Sequence, residues 1–463
     1  MTYAQDNYFK LLKDTTIYID ELSFNSDKEK ELFNKVYLGE SQDYFSLLYM
    51  SSKDAEHSQL EKAKERLKKL TQVFKLKNKS EEKEIKWIYK SVHNEFFKKY
   101  VLENNFNDVF ENGHYNCLSS SAIYALILEE LSIPYQINIL PNHVNLMAYP
   151  STHKILIEST DPVEGYFSYD KKFKEKYIER LLTYKIIEPK EIELKSIEEV
   201  FDSYFEVSES ISLKQLVGAQ YYNNALYLIE DEKFKEAIEE LEKSIALFPS
   251  LNSSRILLSL YYQEILASNY EEQRHYDYLI KSSRYKEVKE DISAGVHLAF
   301  GEIAEKSLLE KGDTMFFKRF YNKLYPLVVD ETIKKNLNYI YNAAQGDYYM
   351  KNLEFKKASE YYLKTLNIVG DTNELEDVYV KSIVFQIKDM SDMENALSII
   401  EDAEKSWDLL IKNRLFLSAK AEVISLLMMR SFEQNKIKLG EKYRARLEDI
   451  LDNNKIKKNE NNL

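Results

Sequence analysis

Residues 113–160 read GHYNCLSSSAIYALILEELSIPYQINILPNHVNLMAYPSTHKILIEST, and the chain changes character inside this stretch. From about Cys117 to Leu131, the spacing of Leu118, Ala122, Leu126 and Ile127 predicts a helix with one buried stripe. Three short alternating or apolar runs follow: Tyr135–Leu140, Val144–Tyr149 and Lys154–Ser159. They predict the strands of an antiparallel sheet. Pro134, Pro141, Pro150 and Pro162 cluster here, four of the seven prolines in the chain. Proline marks turns and strand ends, so the cluster locates the one place where the protein stops being helical.

Register can be worked out from the hairpin. With Pro150-Ser151-Thr152-His153 as the loop, Tyr149 faces Lys154 and His143 faces Thr160. Glu158 is then the same-face diagonal neighbour of His143, at a Cβ separation of about 7 Å, which a glutamate spans. A slip of one residue reverses the faces and puts Asp161 opposite His143 instead. Glu158 is the expected acid and Asp161 the alternate.

The only cysteine, Cys117, opens the predicted helix. A thiol there lies against unpaired backbone N–H groups and the positive end of the helix dipole, which favour its thiolate. His143 opens the second strand, a rigid element able to hold a general base. Glu158 sits at the polar end of an apolar strand, where a lone carboxylate is costly to bury without a partner.

Working outward, the N-terminal part predicts helices over Glu29–Tyr37, Leu60–Phe74 and Ser80–Leu102. Helical, charged segments resume at Asp170–Arg180 and Glu188–Glu199. In Gly218–Pro249 the residues Ala225, Ala237, Ser244 and Pro249 begin a repeat. It recurs as Gly346, Tyr349, Ala358, Tyr362 and Thr365, and again as Ala396 and Ala403. Ser259 is the expected small position of an intervening repeat. Small residues at these offsets let antiparallel helices approach closely and stack into a solenoid.

Composition bounds the rest. Ten glycines and seven prolines in 463 residues are too few for a turn-dense all-β protein. A net charge of −13 argues against a general nucleic-acid binder. One cysteine rules out an internal disulfide and any multi-cysteine zinc site. The glycines are scattered singly, so no phosphate-cradling loop and no nucleotide cofactor are expected. No metal is expected either. No run approaches the roughly 20 apolar residues that span a bilayer. Met1-Thr2-Tyr3-Ala4-Gln5-Asp6 lacks a secretory signal, so a cytoplasmic location is expected, or export if an upstream start encodes a signal peptide.

The Asn116-Cys117-Leu118, Asn142-His143-Val144 and Glu158-Ser159-Thr160 segments together resemble the transglutaminase-like superfamily, a papain-like core with cysteine at a helix start and histidine and acid on successive strands. More narrowly, the chain resembles a bacterial branch in which such a core precedes tetratricopeptide-like helices, with Ile211 through Tyr221-Tyr222-Asn223-Asn224 to Pro249 resembling the junction. The likeness covers residues 80–250. It implies an α+β core with a small antiparallel sheet followed by an all-α tetratricopeptide-repeat-like solenoid. It also implies a catalytic set of Cys117, His143 and Glu158. The chain departs from the family pattern in three ways. Glu158-Ser159-Thr160 stands for the usual Asp-Pro-Thr, Asn145 for an aromatic after the histidine, and Tyr115-Asn116 for a glycine before the cysteine.

The expected organisation is a helical extension at 1–80, a transglutaminase-like core at 81–205, repeat-like helices at 206–455 and a disordered tail at 456–463. Two functions are compatible with it. One is a thiol enzyme acting on an amide of a protein or peptide, with the helical repeats docking that partner. The other is an inactive core serving as an interaction scaffold. His114 and His153 are expected at the surface. The paired tyrosines (Tyr221-Tyr222, Tyr261-Tyr262, Tyr348-Tyr349, Tyr361-Tyr362) are expected to pack between helices with their hydroxyls toward water.

Overall fold

A computed structural model describes residues 17–76, 79–140, 143–160, 165–167, 171–183, 187–196, 199–200, 209–267, 273–285, 289–370 and 373–460. The protein is mostly helical with a small antiparallel sheet. It divides into two compact units, Met1–Ser268 and Asn269–Leu463.

The first unit begins with helices α1 (Asp27–Tyr37), α2 (Tyr44–Met50), α3 (His57–Lys75) and α4 (Glu81–Phe96). Ser26 caps α1 by accepting from the Glu29 N–H at 3.1 Å. Phe33, Val36, Leu60, Leu67, Phe74, Ile85 and Val92 recur at helical spacing and are buried in one cluster, together with residues of the sheet and of α6 (Cys117–Glu130). The segment 17–75 is therefore part of the core around Cys117. α4 ends at Phe96, short of the expected Leu102. Strand β1 (Lys99–Tyr100) leaves the helix to pair in parallel with β2 (His114–Tyr115). No glycine or proline announces that stop; strand pairing overrides the local helical preference. Between β1 and β2 lies the short helix α5 (Asp108–Glu111).

The main sheet contains β3 (Tyr135–Leu140), β4 (His143–Ala148), β5 (Ile155–Ile157), β6 (Tyr166–Phe167) and β7 (Glu209–Ile211), in the order β6-β5-β4-β3-β7. All of its pairings are antiparallel. The β6 and β7 segments carry no alternation in sequence and are fixed by their neighbours. Leu146 pairs with Ile157, Met147 with Leu156 and Ala148 with Ile155. That is the register in which Tyr149 faces Lys154, and the Lys154 N–H closes the loop onto the Tyr149 carbonyl at 2.9 Å. One face of the sheet carries Ile137, Ile139, Val144, Leu146, Ala148, Ile155 and Ile157 into the core. α6 packs against it and is buried nearly all round, beyond the single stripe expected, as a helix enclosed on every side requires.

After α7 (Lys171–Thr183) and α8 (Pro189–Leu194) come α9 (Leu213–Glu230), α10 (Phe234–Leu247) and α11 (Leu251–Ala267). Gly218 is where α9 meets the end of α10. A Cβ there would lie 2.6 Å from Phe248 Cβ and 2.9 Å from its backbone nitrogen. Ala225, Ala237 and Ser244 are fully buried, as the repeat spacing predicts. These helices belong to the first unit, so the division at 268/269 falls inside the 206–455 stretch expected to form repeat-like helices.

A buried charge network ties α1 to this pair. Glu29 Oε1 accepts from Lys243 Nζ at 2.9 Å and from the Tyr221 hydroxyl at 3.0 Å. Lys243 Nζ also donates to Glu240 Oε1 at 2.6 Å, and Asn224 donates to Glu240 Oε2 at 3.1 Å. Lys243 and Glu29 side chains are 1% and 0% exposed. Burial is the largest influence on both Glu240 and Lys243. It raises the proton affinity of Glu240, whereas for Lys243 the two carboxylates outweigh it and hold the ammonium charged.

The second unit is helical: α12 (Gln273–Ser282), α13 (Lys289–Ile303) continuing into a π-helical turn at Ala304–Glu310, α14 (Thr314–Leu324), α15 (Glu331–Lys351), α16 (Phe355–Val369), α17 (Asn373–Ile387), α18 (Met393–Ser406), α19 (Arg414–Glu433) and α20 (Ile437–Glu460). Gly346 and Tyr362 repeat the Gly218 arrangement, since a Cβ at 346 would lie 2.6 Å from the Tyr362 ring. α20 runs through Lys455 to Glu460, where a frayed tail is expected from the polar sequence. In the first unit, Ser259 differs from its expected role, because it is exposed on α11 while Ser253 and Ser254 take the buried face. The tyrosine hydroxyls also differ. Tyr221, Tyr261 and Tyr362 donate to Glu29, Glu242 and Asp347 at 3.0, 2.5 and 2.7 Å rather than to water.

Candidate functional site

Asn116 caps α6. Its Oδ1 accepts from the N–H groups of Leu118 and Ser119 at 3.1 and 2.9 Å, while Ser119 Oγ accepts from the Asn116 N–H at 3.0 Å. This reciprocal capping box satisfies donors that the helix start leaves open. Asn116 Nδ2 donates to the carbonyls of Leu102 and Asn104 at 3.0 and 3.3 Å. Cys117 follows as the first helical residue, and its N–H has no intrahelical partner.

The serine run after Cys117 fastens the helix to its surroundings. Ser119 Oγ donates to Asn104 Oδ1 at 2.7 Å, Ser120 Oγ lies 2.7 Å from Ser159 Oγ, and Ser121 Oγ donates to the Val144 carbonyl at 3.1 Å. The helix start is thereby tied to the backbone beside His143 and to the residue after Glu158.

His143 begins β4, and its Nε2 lies 2.8 and 3.0 Å from Glu158 Oε2 and Oε1. The Cys117 side chain is within hydrogen-bonding reach of the same imidazole. Burial is the largest influence on His143 and disfavours its charged form. The carboxylate of Glu158 and the bonds to Cys117 and Glu158 outweigh it and hold the ring well above the ordinary histidine value. Glu158 is fixed in turn. Thr160 Oγ1 donates to Glu158 Oε1 at 2.7 Å, the Glu158 main-chain N–H donates to the Gly165 carbonyl at 2.5 Å, and the Glu158 carbonyl accepts from the Tyr89 hydroxyl at 3.2 Å.

His143 and Glu158 side chains are 5% and 2% exposed, whereas Cys117 is partly open. The thiol and the imidazole line a cleft of about 360 Å³. Its other wall includes Tyr222, Asn223, Leu226 and Tyr227 of α9, with Phe248 beside them, and its only carboxylate among the described residues is Glu230. The Tyr227 hydroxyl donates to the Leu102 carbonyl at 2.7 Å. Burial is the largest of the influences that push that hydroxyl up to about 12, so it remains a donor at neutral pH.

The structure thus brings Cys117, His143 and Glu158 together. Asp161, the alternate acid, lies outside the described residues. His114 pairs through its backbone in β2 and is not among the cleft residues. His153, in the hairpin turn, pairs with Glu81. Asn145, where the resemblance leads one to expect an aromatic, accepts from Asn138 Nδ2 at 3.0 Å on the neighbouring strand. Among the described residues, no group of three or more His, Cys, Asp or Glu side chains is placed to hold a metal ion. No helix of the described residues is long and apolar enough to cross a membrane.

Several supporting residues escape a reading of the sequence. The Asn116–Ser119 pair has the spacing of a capping box and could have been found from it. Thr160 follows Glu158 by two residues, close enough to suspect. Tyr227 has no local signal, because only tertiary packing brings α9 over the thiol. No family model, no curated protein and no solved structure matches this chain.

Proposed function

We propose that the protein is a thiol acyl-transfer enzyme with a transglutaminase-like, papain-like core, acting on an amide of a protein or peptide. The observation that carries this reading is the His143 imidazole held between a buried Glu158 and a partly open Cys117 at the edge of a cleft. His143 takes the thiol proton and the sulfur attacks the amide carbon. The C–N bond breaks, the imidazolium returns its proton to the leaving amine, and a thioester remains on Cys117. Water, giving its proton to His143, then releases the acid; an amine entering instead gives a new amide. Glu158 orients the ring and stabilises its charge. The Cys117 N–H at the start of α6 is the oxyanion donor. Asn116 is not, because both its amide protons go to Leu102 and Asn104.

A buried thiol, a blocked cleft or an averted His143 would have favoured an inactive scaffold. Cys117 instead faces both His143 and the cleft. The helices from 206 onward are tetratricopeptide-like and dock the protein or peptide partner.

An activated ester tests the chemistry without knowledge of the substrate. p-Nitrophenyl acetate should acetylate Cys117, releasing a stoichiometric burst of p-nitrophenolate, and hydroxylamine should then take up the acyl group. Cys117→Ser and His143→Ala should abolish the burst. Equal acetylation of the parent and His143→Ala chains would sink the reading.

A further inference from the structure

Tyr227 belongs to α9, a helix of the repeat-like region, yet its hydroxyl reaches the cap of the thiol helix. It donates to the Leu102 carbonyl at 2.7 Å, and that same carbonyl accepts from Asn116 Nδ2 at 3.0 Å. Asn116 Oδ1 in turn holds the first open N–H groups of α6. One shared acceptor therefore separates Tyr227 from the side chain that sets the direction of the helix start under the sulfur. The ring also lines two cavities. One is the cleft with Cys117 and His143, and the other is a polar hollow of about 460 Å³ bounded by Asn105, Asn224 and Glu240. Tyr227 is the partition between them.

We propose that Tyr227 is a positioning residue for Cys117: through Leu102 and Asn116 it fixes the start of α6 and closes the cleft wall, so that the first repeat helix completes the site. This rests on the thiol acyl-transfer reading. The physical reason is directional. The field of a helix end and its open N–H groups falls off within the first turn, so a small rotation of the Asn116 cap changes what the sulfur and a developing oxyanion meet. Without the hydroxyl, the Leu102 carbonyl keeps one partner instead of two, and the partition no longer ties α9 to the 102–104 segment.

The test uses the full chain and its only cysteine. The rate of Cys117 alkylation by iodoacetamide is measured across pH and expressed as the ratio of the rate at about pH 6 to that at about pH 9, alongside a thermal melt. Tyr227→Phe should lower the ratio about threefold or more, the size of half a pK unit. Tyr261→Phe removes a buried tyrosine hydroxyl from α11 without touching Asn116. It should leave the ratio at the parent value even if its melt falls. Should Tyr227→Phe fold poorly, Asn116→Ser keeps a capping oxygen but drops the bonds to Leu102 and Asn104, and it should lower the ratio in the same direction. A parent ratio that depends on His143 but is untouched by either substitution overturns the proposal alone. A parent ratio that is ordinary and indifferent to His143→Ala overturns the reading beneath it as well.

Discussion

His143 Nε2 stands 2.8 Å from Glu158 Oε2, where His143 opens β4 and Glu158 directly follows β5, in a register that makes the two residues same-face neighbours. With both side chains closed off from water, the carboxylate acts on the ring at low local dielectric, and the ring is the group that meets the thiol. Glu158→Gln keeps the size and a hydrogen-bonding partner but removes the charge. Cys117 alkylation at about pH 6 should fall about tenfold or more, because the charge that holds the imidazole protonated beside the thiol is gone. Rates equal to the parent across the pH range would show that the carboxylate does nothing for the thiol.

The same pair links stability to pH. A histidine held above its ordinary value of about 6.5 binds its proton more tightly in the folded chain than in the unfolded one. Its stabilising contribution is complete below that ordinary value and is lost as pH rises through the folded one. The unfolding free energy of the parent minus that of His143→Gln, from urea titrations, should therefore be larger at about pH 6 than at about pH 9. A difference that grew toward alkaline pH would contradict the ion pair.

Lys243, its side chain 1% exposed, neutralises two buried carboxylates. Lys243→Met leaves Glu29 and Glu240 buried without their cation, and breaking a buried pair in this way costs about 3–5 kcal/mol. The loss should appear in urea unfolding and should ease as pH falls, because the orphaned carboxylates can then protonate. A loss under about 1 kcal/mol would mean the network behaves like a surface pair.

Two helical glycines should respond in opposite directions. At Gly218 an added methyl meets the Phe248 backbone nitrogen at 2.9 Å, so Gly218→Ala should destabilise by about 1–3 kcal/mol, more than the helix-propensity gain of about 1 kcal/mol. At Gly301 no atom of the described residues lies within 4 Å of an added methyl, so Gly301→Ala should stabilise by up to about 1 kcal/mol. Thermal melts of both variants decide the matter, and a stabilised Gly218→Ala would show that the α9–α10 contact is loose.

The parts of this fold legible in sequence are those set by local pattern. Proline spacing fixes the loop at Pro150–His153, the loop fixes the pairing of Tyr149 with Lys154, and that pairing carries His143 toward Glu158. The small residues Ala225, Ala237 and Ser244 likewise announce a close helix pair. What pattern does not reveal is set by distant partners. α4 stops at Phe96 because Lys99–Tyr100 pairs with His114–Tyr115. β7 exists because Glu209–Ile211 completes the edge beside β3. Tyr221 and Tyr261 find carboxylates because α1 and α10 bring Glu29 and Glu242 to them. Tyr227 reaches the thiol for the same reason, and no spacing along the chain encodes it.

The most direct test of the account is the pH dependence of Cys117 alkylation in the parent chain and in His143→Ala. A thiol paired with a charged imidazole should react at about pH 6 at least tenfold faster than a small free thiol, whose ordinary value is about 8.5, and this advantage should vanish with the histidine. Labelling that is slow, follows unfolding and is unchanged by His143→Ala would contradict the account, leaving Cys117 a packing residue beside a buried ion pair.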